Sequence, residues 1–325
     1  MRAKIVIALL ALAVTLPVFA ADAPQKKIRV GFTGGLCEGP VQIAHEKGFY
    51  AEEGLDAELI KLQAGANFEA IAADKIDASF GLLATLLQPL ANGLTIKITT
   101  GLHTGCDKLL VKPDSGIKTL TDLKGKRIGV PSLTSSPIMF TRRGLAAAGV
   151  KVGDKDAEVE FVVFSNAELP LALSKGAIDA LAANDPVASV AAKANNLTVL
   201  LDSARDEPYK SQYCCAGYVS AKLYKEDPAA ALAFTRAVQK ASAWIQEHPD
   251  ETTQIQVDKK YVAGDPEFNA TVLKTFKYIP SAKGAYDAFS VIANELKEIG
   301  ILRADLDADQ LRDNSVVLLP GVVYE

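Results

Sequence analysis

The feature that most constrains the fold is a regular alternation of strand-like and helix-like segments over residues 28–102. Short apolar or alternating stretches predict strands, whereas apolar residues spaced three or four apart predict helices. The predicted strands cover residues 28–33, 55–62, 76–82 and 95–102, with helical segments between them. Strands that alternate with helices predict a parallel, wound sheet with helices on both faces.

The same alternation restarts at residue 107 and later gives way to helices. Further strands are predicted at residues 126–132, 157–164, 177–184 and 197–202. Asn67, Ser135 or Ser136, and Asp185 have the residue types and positions of helix N-caps. The pattern Ile-Asp-Ala occurs once in each half, at a helix end followed by a strand. We therefore expect two lobes of the same α/β architecture, with the C-terminal helices packed back on the first lobe.

Residues 1–20 have the three parts of a secretory signal peptide. Two basic residues come first, residues 5–14 form an apolar run, and small residues precede a plausible cleavage site before Ala21. The apolar run is short for a membrane span, and Pro17 follows it. We expect cleavage of this segment and export of the mature chain to the periplasm.

Charge and composition exclude some classes of partner. The chain has a formal net charge of −4, and no cluster of basic residues suggests binding to nucleic acid. Hydrophobic residues make up 49% of the sequence, which supports a sizeable core. A mature chain of roughly 300 residues is long enough for two domains of ordinary size.

Several segments together resemble a known family. They are GFTGG, GPVQIAHEKGFYAEEGLDAELIKLQAG, IAADKIDASFG, PLANGLTIKI, SGIKTLTDLKGKRIGV and LSKGAIDALAANDP, in this order over about residues 27–265. They resemble periplasmic solute-binding proteins of ABC importers, of the nitrate/sulfonate/taurine and thiamine-precursor type. The resemblance implies a type II periplasmic binding protein, in which two hinge crossovers join two α/β lobes. It implies residues 21–105 and 215–325 for lobe I, and residues 106–214 for lobe II.

The resemblance also implies a function. The chain would capture a small organic solute between its lobes by hinge closure and deliver it to the transmembrane subunits of an ABC permease. Such a protein catalyses no reaction, needs no cofactor, works as a monomer and meets the membrane only through the permease. Two other functions are compatible with the same fold. One is a thiamine-pyrimidine-synthase-like enzyme, which would require a fuller cysteine motif, and the other is a sensor domain that contacts a signalling partner.

Candidate binding residues follow from the rule that open α/β sheets bind ligands at the carboxyl ends of their strands, near helix N-termini. The predicted ligand-binding residues are Thr33, Cys37, Glu38, Leu83, Thr85, His103, Ser132, Thr134, Ser135, Ser136, Asp185 and Cys214. The loops that carry most of them contain carboxylates but no base, and unpaired carboxylates would repel an anion. A neutral, cationic or zwitterionic solute is therefore predicted, with Glu38 or Asp185 pairing a positive group. The Ser and Thr hydroxyls of residues 132–136 fit either binding or helix capping.

The four cysteines allow three interpretations. Cys37 lies in the first β–α loop, Cys106 follows His103 in the first hinge strand, and Cys214 and Cys215 lie in the second. Export favours disulfides, such as Cys37–Cys106 or Cys106 with one of the pair. The thiolates with His103 could instead form a soft-metal or metal-complex site, which gives an alternative function as a metal-binding protein. They could also be buried residues of small apolar type. Adjacent residues of a strand point to opposite faces, so one cysteine of the pair is expected toward the cleft.

Overall fold

The computed structural model describes residues 25–63, 65–153 and 156–324. The predicted signal peptide, residues 1–20, lies outside the described residues. The strands are β1 (Lys26–Phe32), β2 (Leu55–Lys61), β3 (Ala78–Leu82), β4 (Ile96–His103), β5 (Asp107–Val111), β6 (Arg127–Val130), β7 (Glu160–Val163), β8 (Ala180–Asn184), β9 (Thr198–Asp202) and β10 (Cys215–Ser220).

Helices connect these strands and form most of the C-terminal third. They are α1 (Gly39–Glu46), α2 (Phe49–Glu52), α3 (Asn67–Ala72), α4 (Leu83–Ala91), α5 (Ser136–Ala147), α6 (Leu169–Ser174), α7 (Val187–Asn195), α8 (Ala221–Glu226), α9 (Pro228–Glu247), α10 (Pro249–Asp258), α11 (Pro266–Leu273), α12 (Ala282–Glu298) and α13 (Ala308–Ser315). Single 3-10 turns lie at Leu36–Glu38, Leu120–Leu123 and Tyr209–Ser211. Among the described helices, none combines the length and apolar character needed to cross a membrane.

Two five-stranded sheets define two lobes. Lobe I contains the sheet ordered β2-β1-β3-β10-β4, and lobe II contains the sheet ordered β7-β6-β8-β5-β9. The chain passes from lobe I to lobe II through residues 104–106 and returns through residues 203–214. The C-terminal helices return to lobe I, where α9 packs on α1 and α12 packs on β4. This agrees with the predicted two-lobed α/β fold of a type II binding protein.

Each sheet is mixed, whereas the sequence pattern predicted parallel sheets. In lobe I, β10 runs antiparallel to both β3 and β4, and in lobe II, β5 runs antiparallel to both β8 and β9. The reason is the route of the chain. The chain leaves lobe I at the end of β4 and re-enters between β3 and β4 at that same end of the sheet, so β10 runs in the opposite direction.

Burial alternates along the strands as expected for sheets covered on both faces. In β5, Leu109 packs in one hydrophobic cluster of lobe II, with Ile128 and Val130. Its neighbour Leu110 packs in a second cluster on the opposite face, with Leu181. Successive side chains of a strand point to opposite faces, so one short strand anchors both layers of helices. This packing fixes the loops at the strand ends, where the lobes meet.

Candidate functional site

A cavity of about 150 Å³ lies between the lobes, where the carboxyl ends of parallel strands from both sheets face each other. We call this cavity the cleft. Lobe I contributes Thr33, Gly34, Gly35, Cys37, Glu38, Gly65, Asn67, Phe68, Phe80, Gly81, Leu82, Thr85, Cys215 and Tyr218 to its wall. Lobe II contributes Pro131, Thr134, Ser135, Ser136, Pro137, Asn166, Asn184, Asp185, Pro186 and Val187. The described wall thus has hydroxyl, amide, aromatic and thiol groups and two carboxylates, but no Lys, Arg or His.

Most of the predicted binding residues lie in this wall. The structure brings together Thr33, Cys37, Glu38, Thr85, Thr134, Ser135, Ser136 and Asp185. Four predicted residues, Leu83, His103, Ser132 and Cys214, are not part of the wall. Leu83 opens α4 as a fully buried residue, and its backbone N–H donates to the carbonyl of Cys214 at 2.8 Å. The preceding residue, Leu82, takes its place in the wall.

The loop after β1 is organised around the buried carboxylate of Glu38. The backbone N–H of Thr33 donates to both carboxylate oxygens, at 2.9 and 2.8 Å, and that of Gly34 donates to Oε2 at 2.6 Å. The hydroxyl of Thr33 also donates to Glu38. Burial raises the pKa of Glu38 to about 7, and the nearby Cys37 adds to this rise, against the effect of these hydrogen bonds. The carboxylate is therefore occupied in shaping its own loop.

Asp185 is likewise engaged within the chain. Its carboxylate forms a buried ion pair with Lys108, and Oδ1 accepts a hydrogen bond from the backbone N–H of Ser189 at 3.0 Å. The Lys108 ammonium also lies 3.8 Å from Oδ1 of Asp202. Glu38 and Asp185 thus already have partners, which removes the basis for predicting that either pairs a positive group of the solute. Lys108 could not be identified from the sequence, because a single lysine within a strand pattern gives no sign of burial.

The hydroxyl-rich loop before α5 does not cap its helix as predicted. Ser135 occupies the N-cap position, but its hydroxyl donates to the carbonyl of Ser132 at 2.6 Å rather than accepting from the helix. The Ser136 hydroxyl donates to Oδ1 of Asp107 at 2.9 Å. Burial raises the pKa of Asp107 to about 8, although this hydrogen bond opposes the shift. The side chain of Ser135 therefore leaves the first turn of α5 uncapped.

Asn67 also differs from its predicted role as a helix cap. Its side-chain amide donates to Ser79 Oγ at 3.0 Å and to the carbonyl of Phe80 at 3.3 Å, instead of capping α3. Its Oδ1 is buried and accepts no hydrogen bond from the described residues. Asn166 Oδ1 in lobe II is also buried and accepts no hydrogen bond from the described residues. Both residues follow strand ends, a position that could have indicated them, but neither of their loops was among those chosen from the sequence.

The four cysteines meet at the base of the cleft. The Sγ atoms of Cys106 and Cys214 are 3.3 Å apart, and those of Cys214 and Cys215 are 3.8 Å apart. The Sγ atoms of Cys37, Cys106 and Cys215 all lie within 4.8 Å of one another. We call these four residues the thiol cluster. A disulfide requires a sulfur–sulfur distance of about 2.05 Å, and all four cysteines are free in the structure, so the predicted disulfide is not found.

The adjacent cysteines do not point to opposite faces as expected. Cys215 lines the cleft, whereas Cys214, which was predicted to do so, lies behind it. The strand β10 begins only at Cys215, and its pairing with β4 is irregular between Cys215 and Ala216. This irregularity at the strand end lets both sulfur atoms turn toward Cys106.

His103 lies beside the thiol cluster and outside the cleft. Its Nε2 lies 3.1 Å from the carbonyl oxygen of Cys37, and its Nδ1 lies 3.2 Å from that of Thr104. The ring packs against Phe276 and Tyr278. Burial lowers the pKa of His103 to about 4, so the imidazole is neutral at physiological pH. Because both ring nitrogens face backbone carbonyls, His103 does not extend the set of thiol ligands.

Comparisons with known proteins place this geometry in context. A putative aliphatic sulfonates-binding protein of Bacillus subtilis (strain 168) is 28% identical over 242 residues, which cover 72% of this chain and 70% of that protein. The periplasmic nitrate-binding protein NrtA of Synechocystis PCC 6803 has a similar structure, with a TM-score of 0.77, 18% identity, and coverage of 90% of this chain and 86% of NrtA.

The alkanesulfonate-binding protein SsuA of Xanthomonas axonopodis pv. citri, solved with bound MOPS, gives a TM-score of 0.74 at 16% identity. That match covers 91% of this chain and all of SsuA (100%). At these identities the two structures support the fold, which is the two-lobed fold of periplasmic binding proteins. Residues 39–252 match the family described as NMT1/THI5 like, and this chain belongs to that family.

Proposed function

We propose that this chain is the exported solute-binding component of an ABC importer. It would hold a small solute in the cleft and present the closed form to the permease in the periplasm. The observation that carries the proposal is the cleft itself, whose wall comes from strand ends of both lobes. The chain passes between the lobes at the crossovers of residues 104–106 and 203–214, so a rotation at these crossovers would open and close the cleft.

We infer that the solute is neutral overall and donates hydrogen bonds. The described wall offers no cationic side chain to an anion, and its two carboxylates are already engaged by Thr33, Gly34 and Lys108. The buried oxygens of Asn67 and Asn166 lack donors within the chain. A buried acceptor without a partner costs about 1–3 kcal/mol, so a solute with N–H or O–H groups would recover that free energy. Phe68, Phe80 and Tyr218 supply apolar contact surface.

The same wall argues against an enzyme. General acid–base or nucleophilic catalysis needs a free base within reach of the substrate. The carboxylate of Glu38, whose pKa is about 7, is instead held by the backbone N–H groups of Thr33 and Gly34. The thiol of Cys37 has a pKa raised well above its ordinary value, by a hydrogen bond with Cys106 and by burial, so it is a weak nucleophile at neutral pH. The nearby imidazole of His103 faces backbone carbonyls. Capture and release of a solute require none of these groups to react.

The test is a binding screen with the solute class as its variable. Native mass spectrometry of the purified mature protein identifies a co-purified solute, and isothermal titration calorimetry then compares that solute with ethanesulfonate and nitrate. We expect micromolar or tighter binding of a neutral hydrogen-bond donor and no binding of the two anions. Tight binding of ethanesulfonate or nitrate would overturn the inferred solute class. If no small molecule binds, the proposed transport function is wrong.

A pair of variants locates the binding contact. Asn166→Ala removes an unpartnered amide oxygen from the cleft wall and should weaken solute binding about tenfold. Asn92→Ala is the matched control, because Asn92 is exposed after α4 and outside the cleft. Equal affinities of the two variants would show that the solute does not contact Asn166.

A further inference from the structure

The thiol cluster gathers every cysteine of the sequence, which has four. They come from three separate parts of the chain: the loop after β1, the first crossover and the start of β10. All four side chains are buried, the most exposed being Cys214 at 8%. Chance packing of small apolar residues has no reason to bring all of them to one point.

The spacing of the sulfur atoms matches a metal site better than a disulfide bond or simple van der Waals packing of thiols. Four thiolates around a zinc ion, at metal–sulfur distances of about 2.3 Å, have sulfur atoms about 3.8 Å apart when the geometry is tetrahedral. The Sγ–Sγ distances are 3.3 Å for Cys106–Cys214 and 3.8 Å for Cys214–Cys215, and three of the sulfurs lie mutually within 4.8 Å. Cys37, Cys106 and Cys215 are thus already placed as three ligands, and Cys214 adjoins two of them.

We propose that Cys37, Cys106, Cys214 and Cys215 form a binding site for one soft, thiophilic metal ion of the Zn²⁺ or Cu⁺ type. Thiolate ligands select such ions over Mg²⁺ and Ca²⁺, which prefer oxygen. The site lies at the base of the cleft, and Cys37 and Cys215 also line the cavity, so an ion can enter from that side. The proposal does not depend on the identity of the solute.

The backbone at Cys106 gives separate support. Cys106 has a φ of 143°, one of four positive values recorded for non-glycine residues in the described chain. This region is unfavourable for a residue with a side chain. The backbone N–H of Cys106 donates to Ser203 Oγ at 2.9 Å, which holds the crossover in this conformation. With the backbone in this conformation, the Cys106 sulfur lies beside those of the other three cysteines.

A carboxylate also lies beside the thiol cluster. The carboxylate of Asp107 has an oxygen within 4.8 Å of the sulfurs of Cys106 and Cys214. Its Oδ2 is buried and accepts no hydrogen bond from a described residue. Such an oxygen can take a proton or orient a group beside a bound cation.

The chemistry of binding is proton release without electron transfer. Each thiol that becomes a ligand loses its proton to solvent as the metal–sulfur bond forms. Binding should therefore tighten as the pH rises. The competing outcome, oxidation of Cys106 and Cys214 to a disulfide, needs an external oxidant that accepts two electrons and would leave only two free thiols.

The test uses the mature full-length protein, purified and kept under anaerobic reducing conditions. Zn²⁺ is titrated against a chromophoric chelator, and Co²⁺ replaces it as a spectroscopic probe. We expect one Zn²⁺ per chain, thiolate-to-metal charge-transfer absorption with Co²⁺, and protection of the thiols from alkylation when Zn²⁺ is bound. Cys106→Ser and Cys215→Ala should each weaken Zn²⁺ binding by about 100-fold or more, because each removes a direct ligand.

The control is the double variant His45→Gln/His248→Gln, which removes two exposed imidazoles that could bind Zn²⁺ at the surface. It should bind Zn²⁺ as the unmodified protein does. Loss of binding in this control, with retention in the cysteine variants, would overturn the proposal. So would the absence of Zn²⁺ binding by a protein with four titratable thiols, or a count of only two thiols. If a cysteine variant does not fold, the absorption and alkylation of the unmodified protein decide.

Discussion

The backbone N–H of Leu36 in lobe I donates a hydrogen bond of 3.1 Å to the carbonyl oxygen of Asp185 in lobe II. The bond joins the lobes directly across the base of the cleft. The residue before it, Gly35, lies against lobe II so closely that a Cβ there would be 2.9 Å from Nδ2 of Asn184. This contact between the lobes therefore depends on the absence of a side chain at position 35.

Gly35→Ala should hold the lobes apart. Gly35 has a φ of −92°, so alanine introduces no backbone strain. The effect comes from the clash with Asn184 and from a tight contact of 3.2 Å with Sγ of Cys37. We expect a larger radius of gyration in small-angle X-ray scattering, about tenfold weaker solute binding and little change in melting temperature. Gly217→Ala is the control, because a Cβ at Gly217 would meet its nearest atom at an ordinary 3.5 Å. Identical scattering from both variants would refute this account of closure.

Lys108→Met should destabilise lobe II strongly. Lys108 and Asp185 form a buried ion pair, with side-chain exposures of 7% and 0%. Removal of one partner leaves a buried, uncompensated charge and typically costs about 3–5 kcal/mol. Urea denaturation measures the loss in the free energy of unfolding.

The double variant Lys108→Met/Asp185→Asn tests whether this loss comes from the pair. It should recover part of the stability lost in Lys108→Met, because the charge of Asp185 is no longer buried alone and Asp202 keeps its ion pair with Arg205. If the two single losses simply add in the double variant, the lysine contributes by packing and not by charge.

The free energy of unfolding should fall as the pH rises, because Glu38 has a raised pKa in the folded protein. Its pKa is raised from 4.5 to about 7 in the folded protein. Below pH 4.5 both folded and unfolded states keep the proton, whereas between pH 4.5 and 7 the unfolded state ionises first and gains relative to the folded state. The stability of the unmodified protein relative to Glu38→Gln should therefore decrease over this window, by on the order of 3 kcal/mol.

Urea denaturation of both proteins at intervals from pH 4 to 8.5 measures this difference. Asp107, whose pKa is raised to about 8, has a pH dependence of the same sign. It is present in both proteins, so its contribution cancels in the comparison. Parallel stability curves for the two proteins would contradict the raised pKa of Glu38.

Gly101→Ala should disturb the second crossover through Tyr213. The Tyr213 ring lies between Gly101 of β4 and Gly284 of α12, and a Cβ at either glycine would overlap the ring. Its hydroxyl donates to the carbonyl of Ile279 at 2.7 Å, so the ring cannot move freely. We expect a loss of about 1–3 kcal/mol in the free energy of unfolding. The double variant Gly101→Ala/Tyr213→Ala should lose less than the sum of its single variants, whereas additive losses would exclude the clash.

The fold was predictable from the sequence because each strand carries its own local signal. The alternating residues of β2 and the apolar run of β4 lie within one or two residues of their predicted bounds. The direction of β10 was not predictable in this way. Its sequence reads like any buried strand, and its antiparallel placement follows from where the chain re-enters lobe I.

The site was predictable in its loops but less so in its side chains. The rule for strand ends located Thr33, Thr134 and Ser136, which all line the cleft. It could not show that the carboxylate of Asp185 is taken by Lys108, because the two residues are far apart in sequence and meet only through the pairing of β5 with β8. Pairings of this kind depend on three-dimensional register, which no local pattern records.

The two crossovers also determine how far different parts of the cleft can travel. In any rotation about these segments, the displacement of an atom grows with its distance from the axis. Cys106 and Cys214 belong to the crossover segments themselves, whereas Gly65 and Thr134 approach each other at the outer loops of the two lobes. A large swing of the outer loops would therefore leave the Cys106–Cys214 separation nearly constant. These two sulfur atoms lie close to the rotation axis, where distances between atoms change least while the entrance of the cleft opens.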